Sequence, residues 1–277
     1  MAIPKRRLGK TGVEVTILGL GGEGILRTFG HEREASVLIN RAIDLGITYC
    51  ESARAYSGSE AYYGSALRER RSEVFLTSKS HARDKEGAQG HLHETLRNMK
   101  TDYLDLWQVH DVREEEEIKA IFGKGGAIEA FEDARKKGKV RFIGVTGHHD
   151  PLIIRKCLEL FDFDTVLIPV NPAEHAYKSF LDSVIPLAQA RGTGIVAMKT
   201  YFRGLAAQLP GFKDLEPFFR FALSHPVSTA VIGCDSIQQL EENVQFAGSF
   251  TPMTKDDVDH LRNQISRYAR RLMYYKP

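Results

Sequence analysis

GAIEAFEDARKKGKVRFIGVTGH, residues 126–148, holds one complete structural unit. Its first half keeps apolar residues at Ile128, Phe131 and Ala134, a helical spacing, with the charges placed elsewhere. Gly138 stands where a helix C-cap falls. Directly after it comes VRFIGVT (140–146), a short β-rich run. Helix, glycine, strand: the order is that of an α/β chain.

The same unit recurs on both sides. Upstream β-rich runs are VTILGLG (15–21), ITYCES (47–52), VFLTSK (74–79) and LDLWQVH (104–110). Downstream are TVLIPV (165–170), GIVAMK (194–199) and TAVIGC (229–234). Helical patterns such as EREASVLINRAIDLG and GHLHETLRNMK lie between them, and Gly46 and Gly192 repeat the placement of Gly138. Eight strands with helices at even spacing predict a closed (β/α)8 TIM barrel, α/β in class. A Rossmann sheet is the alternative. GLGGEG (19–24) lacks the G-x-G-x-x-G spacing, however, and no acidic residue ends a second strand about 20 residues on, so it reads as the loop after the first strand. RRLGKTGVEV predicts a small hairpin turning at Gly9–Gly12, placed to plug the barrel bottom. The chain reads as one domain over 1–277, with the hairpin in 1–15 and a C-terminal helix and short tail in 254–277. Glu114–Glu117 reads as a solvated loop after the fourth strand.

Composition narrows the function. Of 277 residues, 42% are apolar and 27% charged, ordinary for a soluble protein. Lys plus Arg number 38 against 36 Asp plus Glu, so a net charge of +2 gives no reason to expect nucleic acid or an anionic membrane as partner. Cys50, Cys157 and Cys234 lie far apart, which reads as reduced intracellular thiols and no cysteine metal site. There is no secretory signal pattern and no apolar run of membrane-spanning length, so the expected location is cytoplasmic.

In a barrel, strand C-termini converge on one mouth. Glu51 ends the second run, Tyr56 follows five residues on, Lys79 ends the third run and His110 the fourth. Taken singly, Tyr56 reads as a packed loop aromatic, Lys79 as a rim cation and His110 as a core histidine. Together they form a proton-transfer group. A carboxylate at Glu51 can hold the Lys79 ammonium, and an adjacent ammonium lowers a tyrosine pKa from about 10. Neutral His110 can orient a carbonyl oxygen.

These residues resemble those of the aldo-keto reductases. ESARAYSGSE, FLTSKS, DLWQVHD and KKGKVRFIGVTG stand where that family has its most recognisable segments, and the resemblance covers nearly the whole chain. It implies an NAD(P)H-dependent reductase of aldehydes or ketones, with Tyr56 as proton donor and Lys79, Glu51 and His110 in support. Glu51 replaces the family's aspartate, displacing the charge by about 1.5 Å, one carbon–carbon bond. The family's nicotinamide contacts map onto Gly21 in the glycine cluster, Thr146, Asn171 and Met198. GVTGH (144–148) replaces the usual G-V-S-N, leaving Gly147 without an asparagine side chain. Leu167 stands where a cofactor-holding glutamine is common, and Met198 where an aromatic often stacks.

IGCDSIQQLEENVQFAG (232–248) resembles the family's adenosine-binding segment. Gly233 allows close backbone approach and Ser236 is an N-cap opening a helix to phosphate. Gln239, Glu242 and Asn243 reach ribose or adenine, and Arg203 the pyrophosphate. Asp235 would repel a 2′-phosphate or bond a free 2′-hydroxyl; family habit favours NADP(H), and the charge leaves NAD(H) open.

His148, His149 and Asp150 are adjacent, but without a third ligand at metal-like spacing they read as loop polarity. No metal is expected, and His148 is assigned to substrate. The short tail RYARRLMYYKP predicts an open, broad pocket. Two rival functions remain: a lyase or aldolase forming a Schiff base on Lys79 or Lys199, and a regulatory subunit that binds NAD(P)H without catalysis. The expected partner is a small carbonyl compound; sequence leaves the oligomeric state unknown.

Overall fold

The computed structural model describes residues 2–277. Two short strands come first, β1 (Lys5–Arg7) and β2 (Glu14–Thr16), followed by β3 (Leu18–Gly24), β4 (Tyr49–Glu51) and β5 (Phe75–Ser80). Then come β6 (Leu104–Val109), β7 (Val140–Thr146), β8 (Thr165–Pro169), β9 (Gly194–Met198) and β10 (Thr229–Cys234). β3 to β10 close into a barrel in chain order, β10 returning to pair with β3. Every barrel pairing is parallel. All eight C-terminal ends therefore open on one side.

Among the described residues, twelve α-helices cover the barrel and its ends. They are α1 (Glu32–Asp44), α2 (Ser59–Leu67), α3 (Lys85–Met99), α4 (Glu115–Phe122), α5 (Ala127–Lys136) and α6 (Pro151–Leu160). The second set is α7 (Phe180–Ser183), α8 (Ile185–Ala190), α9 (Glu216–Leu223), α10 (Ile237–Gly248), α11 (Lys255–Ser266) and α12 (Ala269–Leu272). The three glycines expected after helices, Gly46, Gly138 and Gly192, all have positive φ. Among the described residues no helix is long and apolar enough to cross a membrane.

The strand period of two sorts the core into two layers. Leu106 points into the barrel with Tyr49, Phe75, Leu167, Val196 and Val231. Its neighbour Trp107 points outward and stacks on Phe131 of α5, ring centroids 3.6 Å apart. The barrel interior is thus packed, and Leu167 belongs to that packing.

β1 and β2 form the expected antiparallel hairpin, and Leu8 at its turn joins the inner cluster. Lys10 N donates to Gly192 O at 2.6 Å, seating the hairpin at the N-terminal ends of the strands. Gly9 makes this possible: a Cβ there would collide with the Gly194 backbone.

Three expectations are corrected. The run 15–21 is divided, its first two residues belonging to hairpin strand β2, and GLGGEG is not a loop but the body of β3. The glycines are there because β10 lies hard against them; a Cβ on Gly21 would sit 3.0 Å from Gly233 N. Glu115–Glu117 are not in a loop either but form the first turn of α4. Carboxylates there complement the helix dipole.

Candidate active site

The period of two that sends Tyr49 and Phe75 inward also sends Glu51 and Lys79 inward, at the open ends of β4 and β5. Glu51 pairs in register with Thr77, and Lys79 with Gln108. The Lys79 ammonium forms an ion pair with the Glu51 carboxylate and also donates to Ser52 O at 2.9 Å. Both side chains are buried, 1% and 5% exposed. Burial pulls the Lys79 pKa down, and the Glu51 charge opposes it. The extra methylene of glutamate is accommodated, and the pair forms.

Tyr56 rides on the loop between β4 and α2. Arg54 N donates to Lys79 O at 3.0 Å and Tyr56 N to Ala53 O at 2.9 Å, fixing the loop's backbone to β5. Glu60, 2% exposed, braces the same loop. Its carboxylate accepts from Ser78 Oγ at 2.8 Å, Thr95 Oγ1 at 2.7 Å, and Asn98 Nδ2 and Arg54 Nη1 at 3.2 Å each. The Tyr56 ring lies against Gly22, where a Cβ would stand 2.9 Å from Tyr56 Cδ2. The Lys79 Nζ is 4.8 Å and the Arg27 guanidinium 5.1 Å from the ring centroid. The His110 ring stands edge-on at 6.0 Å.

The direction of the Tyr56 shift differs from the expected lowering. Burial pushes the phenol well above 10.0, the Glu51 and Glu23 charges add to this, and Arg27 and Arg203 oppose it. Lys79 is already neutralised by Glu51, so little of its charge is left to act on the phenol. Tyr56 is thereby held in its proton-bearing form.

His110 follows β6. Arg83 Nη1 donates to His110 O and Arg83 Nη2 to Asp111 O, each at 2.9 Å, while Glu117 pairs with the same guanidinium. Burial holds the imidazole pKa well below 6.5, helped by Lys79, His81 and His148. The ring is therefore neutral at physiological pH, and its Nδ1 is buried without a partner. Next to it, Asp111 has φ 54. Asp111 Oδ2 is paired with Arg113 at 2.6 Å, and Asp111 Oδ1 lies 3.3 Å from His148 Nδ1.

Space supplies the third polar group that the sequence lacked: Asp111, His148 and His149 bring their ligand atoms within 4.8 Å of one another. Asp150 is not part of this group; it caps α6 by accepting from Leu152 N at 2.9 Å and pairs with Lys178. Arg113 and Lys199 both act on both imidazoles. One carboxylate already shared with a guanidinium offers a dication little.

On the far side of the mouth the residues assigned to a cofactor divide. Asn171 is fully buried. Its Oδ1 accepts from Ala173 N at 3.1 Å and its Nδ2 donates to Tyr275 Oη at 2.9 Å, so its amide is committed within the protein. Asn243 is likewise turned inward, accepting from Tyr201 Oη at 2.7 Å and donating to Gln239 O at 2.8 Å. Thr146 Oγ1 accepts from Asp111 N at 2.9 Å. Gly147 has no room for an asparagine, because a Cβ would stand 2.9 Å from Val112 O and collide with Ile154. Met198 is half-buried at the end of β9, against the inner cluster.

Gly233, Asp235, Ser236, Gln239 and Glu242 are accessible. Ser236 caps α10 as expected, accepting from Gln239 N at 3.2 Å, and Asp235 N donates to Gln239 Oε1 at 2.8 Å. A cavity of about 320 Å³ opens beside this turn, lined by Arg33, Glu34, Asp235 and Ser236 among others. Gly21 is buried under β10. Arg203 bridges at 2.9 Å to Glu23, which also pairs with Arg27 at 2.7 Å. Lys199 is half-buried nearby, its pKa lowered chiefly by burial.

The tail is the main surprise. It turns back onto the barrel: Tyr275 folds in beside His148, rings 6.0 Å apart, and its hydroxyl donates to Glu174 Oε1 at 2.7 Å. Lys276 pairs with Glu174 Oε2 at 2.8 Å, the two side chains 1% and 0% exposed. Lys276 also donates to Tyr177 O and Lys178 O, at 2.8 and 2.9 Å. Glu23, Arg27, Arg83, Asp111, Glu174, Tyr275 and Lys276 all shape the mouth without having been singled out from sequence. Only Asp111 had a local signal, its place next to His110 at a strand end.

Three comparisons bear on this geometry. The Aldo/keto reductase family profile matches residues 17–210. L-Galactose dehydrogenase of Arabidopsis thaliana is 26% identical over 284 residues, covering 87% of each chain. Aldo-keto reductase AKR11C1 from Bacillus halodurans, in its holo form, superposes with a TM-score of 0.80 at 25% identity, over 94% of this chain and 96% of that one. An aldo-keto reductase from Klebsiella pneumoniae, solved in complex with NADPH, shares the fold at TM-score 0.77 and 21% identity, over 96% of both chains.

Proposed function

The chain belongs to the aldo/keto reductase family of oxidoreductases, and from that premise we propose that it reduces small aldehydes or ketones with a nicotinamide dinucleotide, using Tyr56 as proton donor. The observation that carries the reading is the buried Glu51–Lys79 pair beneath the Tyr56 ring, with neutral His110 at its edge.

The residues fit such a cofactor at its phosphate and adenosine ends. Arg203 and Lys199 supply cations, and the N-terminus of α10 follows an exposed Gly233 and Ser236. Thr146 is the residue assigned to the carboxamide. When bound, the reduced nicotinamide supplies a hydride, and with it two electrons, to the carbonyl carbon.

The protein's own groups do the rest. His110, held neutral by burial, is the residue assigned to orient the carbonyl oxygen. Tyr56 gives that oxygen its proton as the carbon–oxygen double bond becomes single, completing the alcohol. The phenolate left behind has the Arg27 guanidinium 5.1 Å from its ring centroid, and Arg27 and Arg203 are the cations whose charge favours it. NADP(H) follows the Klebsiella relative; Asp235 keeps NAD(H) as the competing choice.

A Schiff base on Lys79 does not suit this geometry, since its ammonium is buried and held by Glu51 and Ser52 O. Lys199, half-buried with a lowered pKa, is the lysine that reading would have to use. Fluorescence titration with NADPH and NADH, then turnover over a carbonyl panel, separates the possibilities. Saturable binding with turnover supports the reductase. Binding without turnover leaves a regulatory subunit, and no binding overturns the nicotinamide reading.

A further inference from the structure

The polar residues of α3 keep one spacing. His91, Glu94, Thr95 and Asn98 stand at i, i+3, i+4 and i+7, on a single face of the helix. That face meets α2 and β5. Thr95 Oγ1 and Asn98 Nδ2 donate to the Glu60 carboxylate, Glu94 pairs with Arg54, and His91 Nδ1 lies 2.9 Å from Ser80 Oγ. Ser80 O in turn accepts from His110 N at 2.9 Å. A polar stripe on a helix ordinarily faces water. This one lies behind the two residues assigned to the carbonyl oxygen.

Arg54 is where the stripe reaches Tyr56. The bond from Tyr56 N to Ala53 O closes a four-residue turn whose two central positions are Arg54 and Ala55. The Arg54 backbone N–H is fixed to Lys79 O, and its guanidinium is held by Glu60 of α2 through Nη1 and by Glu94 of α3 through Nη2. One residue thus ties the turn to three elements. Glu60 is buried, and among the described residues Arg54 is its only ion-pair partner. The Tyr56 ring packs on Gly22 and faces Lys79, Arg27 and His110, so Arg54 acts on it through the backbone.

We infer that Arg54 is a positioning residue for the proton donor: by bridging Glu60 and Glu94 it fixes the turn that presents the Tyr56 hydroxyl to the carbonyl oxygen. The inference rests on the reductase reading. Proton transfer needs the two oxygens within about 2.6–3.2 Å of each other. A turn closed by one hydrogen bond is free to tilt about its ends, and the tilt carries the phenol beyond that margin. Anchoring a central residue of the turn to two helices removes the tilt. His110 is tied to the same helix face through Ser80 and His91, so both groups take their places from α3.

The test uses Arg54→Met/Glu60→Gln, which removes both charges and leaves no buried carboxylate unpaired. Its thermal midpoint and NADPH affinity should stay near wild type, while kcat for propanal falls about 10- to 100-fold and KM changes less. Proton transfer then limits the rate, so the solvent deuterium isotope effect on kcat rises. Glu94→Ala removes one anchor from a half-exposed position and should lower kcat about 3- to 10-fold with the same rise. A wild-type kcat in the double variant would show Arg54 to be a counter-ion alone and would overturn the inference. A fall in kcat with an unchanged isotope effect does the same. If the double variant melts well below wild type, Glu94→Ala decides, and a wild-type kcat there is the overturning result. No turnover of any aldehyde by the unaltered protein with either cofactor removes the reductase reading and this inference with it.

Discussion

The mouth of this barrel has two halves built in different ways. On the side of β4, β5 and β6, Glu51, Tyr56, Lys79 and His110 meet through the ends of neighbouring strands, and their contacts span fewer than sixty residues of chain. On the side of β8 and β9, the contacts are remote: Tyr275 to Asn171 over 104 residues and Lys276 to Glu174 over 102. The first half is set by strand register, the second by a tail returning from the C-terminus. Changes in the first half should therefore alter chemistry and spare stability, and changes in the second should do the reverse.

Tyr56→Phe is the strongest test of that division. Removing a positioned acid lowers turnover by about 10²- to 10⁴-fold. The ring still packs on Gly22 and between the cations, so thermal stability and NADPH affinity stay near wild type. Single-turnover kinetics beside a thermal melt give both values. Full activity in the variant would remove Tyr56 from the mechanism.

Lys276→Met should behave in the opposite manner. It leaves Glu174 buried without its counter-ion, and breaking such a pair costs about 3–5 kcal/mol. Burial already raises the Glu174 pKa against the pull of Lys276, so the lone carboxylate would take up a proton. The expected result is a clearly lower thermal midpoint, partly restored in the double variant Glu174→Gln/Lys276→Met. An unchanged midpoint in Lys276→Met would show that the tail does not hold the wall of the mouth.

What could be read from sequence follows the same division. Alternation along ITYCES and VFLTSK places Glu51 and Lys79 on one face, and the barrel then brings them together; nothing beyond period and order is needed. The failures have specific causes. GLGGEG looked like a loop because glycine is a turn former, yet here it is a strand against which β10 packs closely. Asn171 and Asn243, expected at the cofactor, hydrogen-bond Tyr275 and Tyr201 within the protein, contacts between segments that sequence order does not join. Asp111, His148 and His149 are separated by the whole of α4, α5 and β7, so their meeting appears only once the barrel closes.

The adenosine end permits a finer comparison within the second half, because Asp235 and Ser236 lie on an exposed turn. Asp235→Ser removes a charge that would oppose a 2′-phosphate, while Arg33 on the same cavity keeps its own. Solvent screening keeps the gain modest, so the NADPH-to-NADH affinity ratio should rise by about 10-fold, equivalent to about 1.4 kcal/mol. Paired fluorescence titrations measure it. No change in the ratio would mean that the 2′ position lies away from this turn.

The smallest expected effect is a flat pH profile, and it bears on how the first half works. His110 is depressed by burial and the nearby cations, so it gains its proton only as pH falls through a value well below 6.5. Tyr56 is raised by burial and by Glu51 and Glu23, so it loses its proton only above 10.0. Both groups thus stay in their working forms across neutrality, and kcat/KM for reduction should be level from about pH 6.5 to about pH 10. An alkaline fall centred between about pH 7 and 9 would place the phenol below its ordinary range. That outcome would restore Lys79 as the group setting the Tyr56 pKa, with the cofactor or substrate loosening its bond to Glu51. A level profile instead leaves the Lys79 charge spent on Glu51, with no hold on the phenolate.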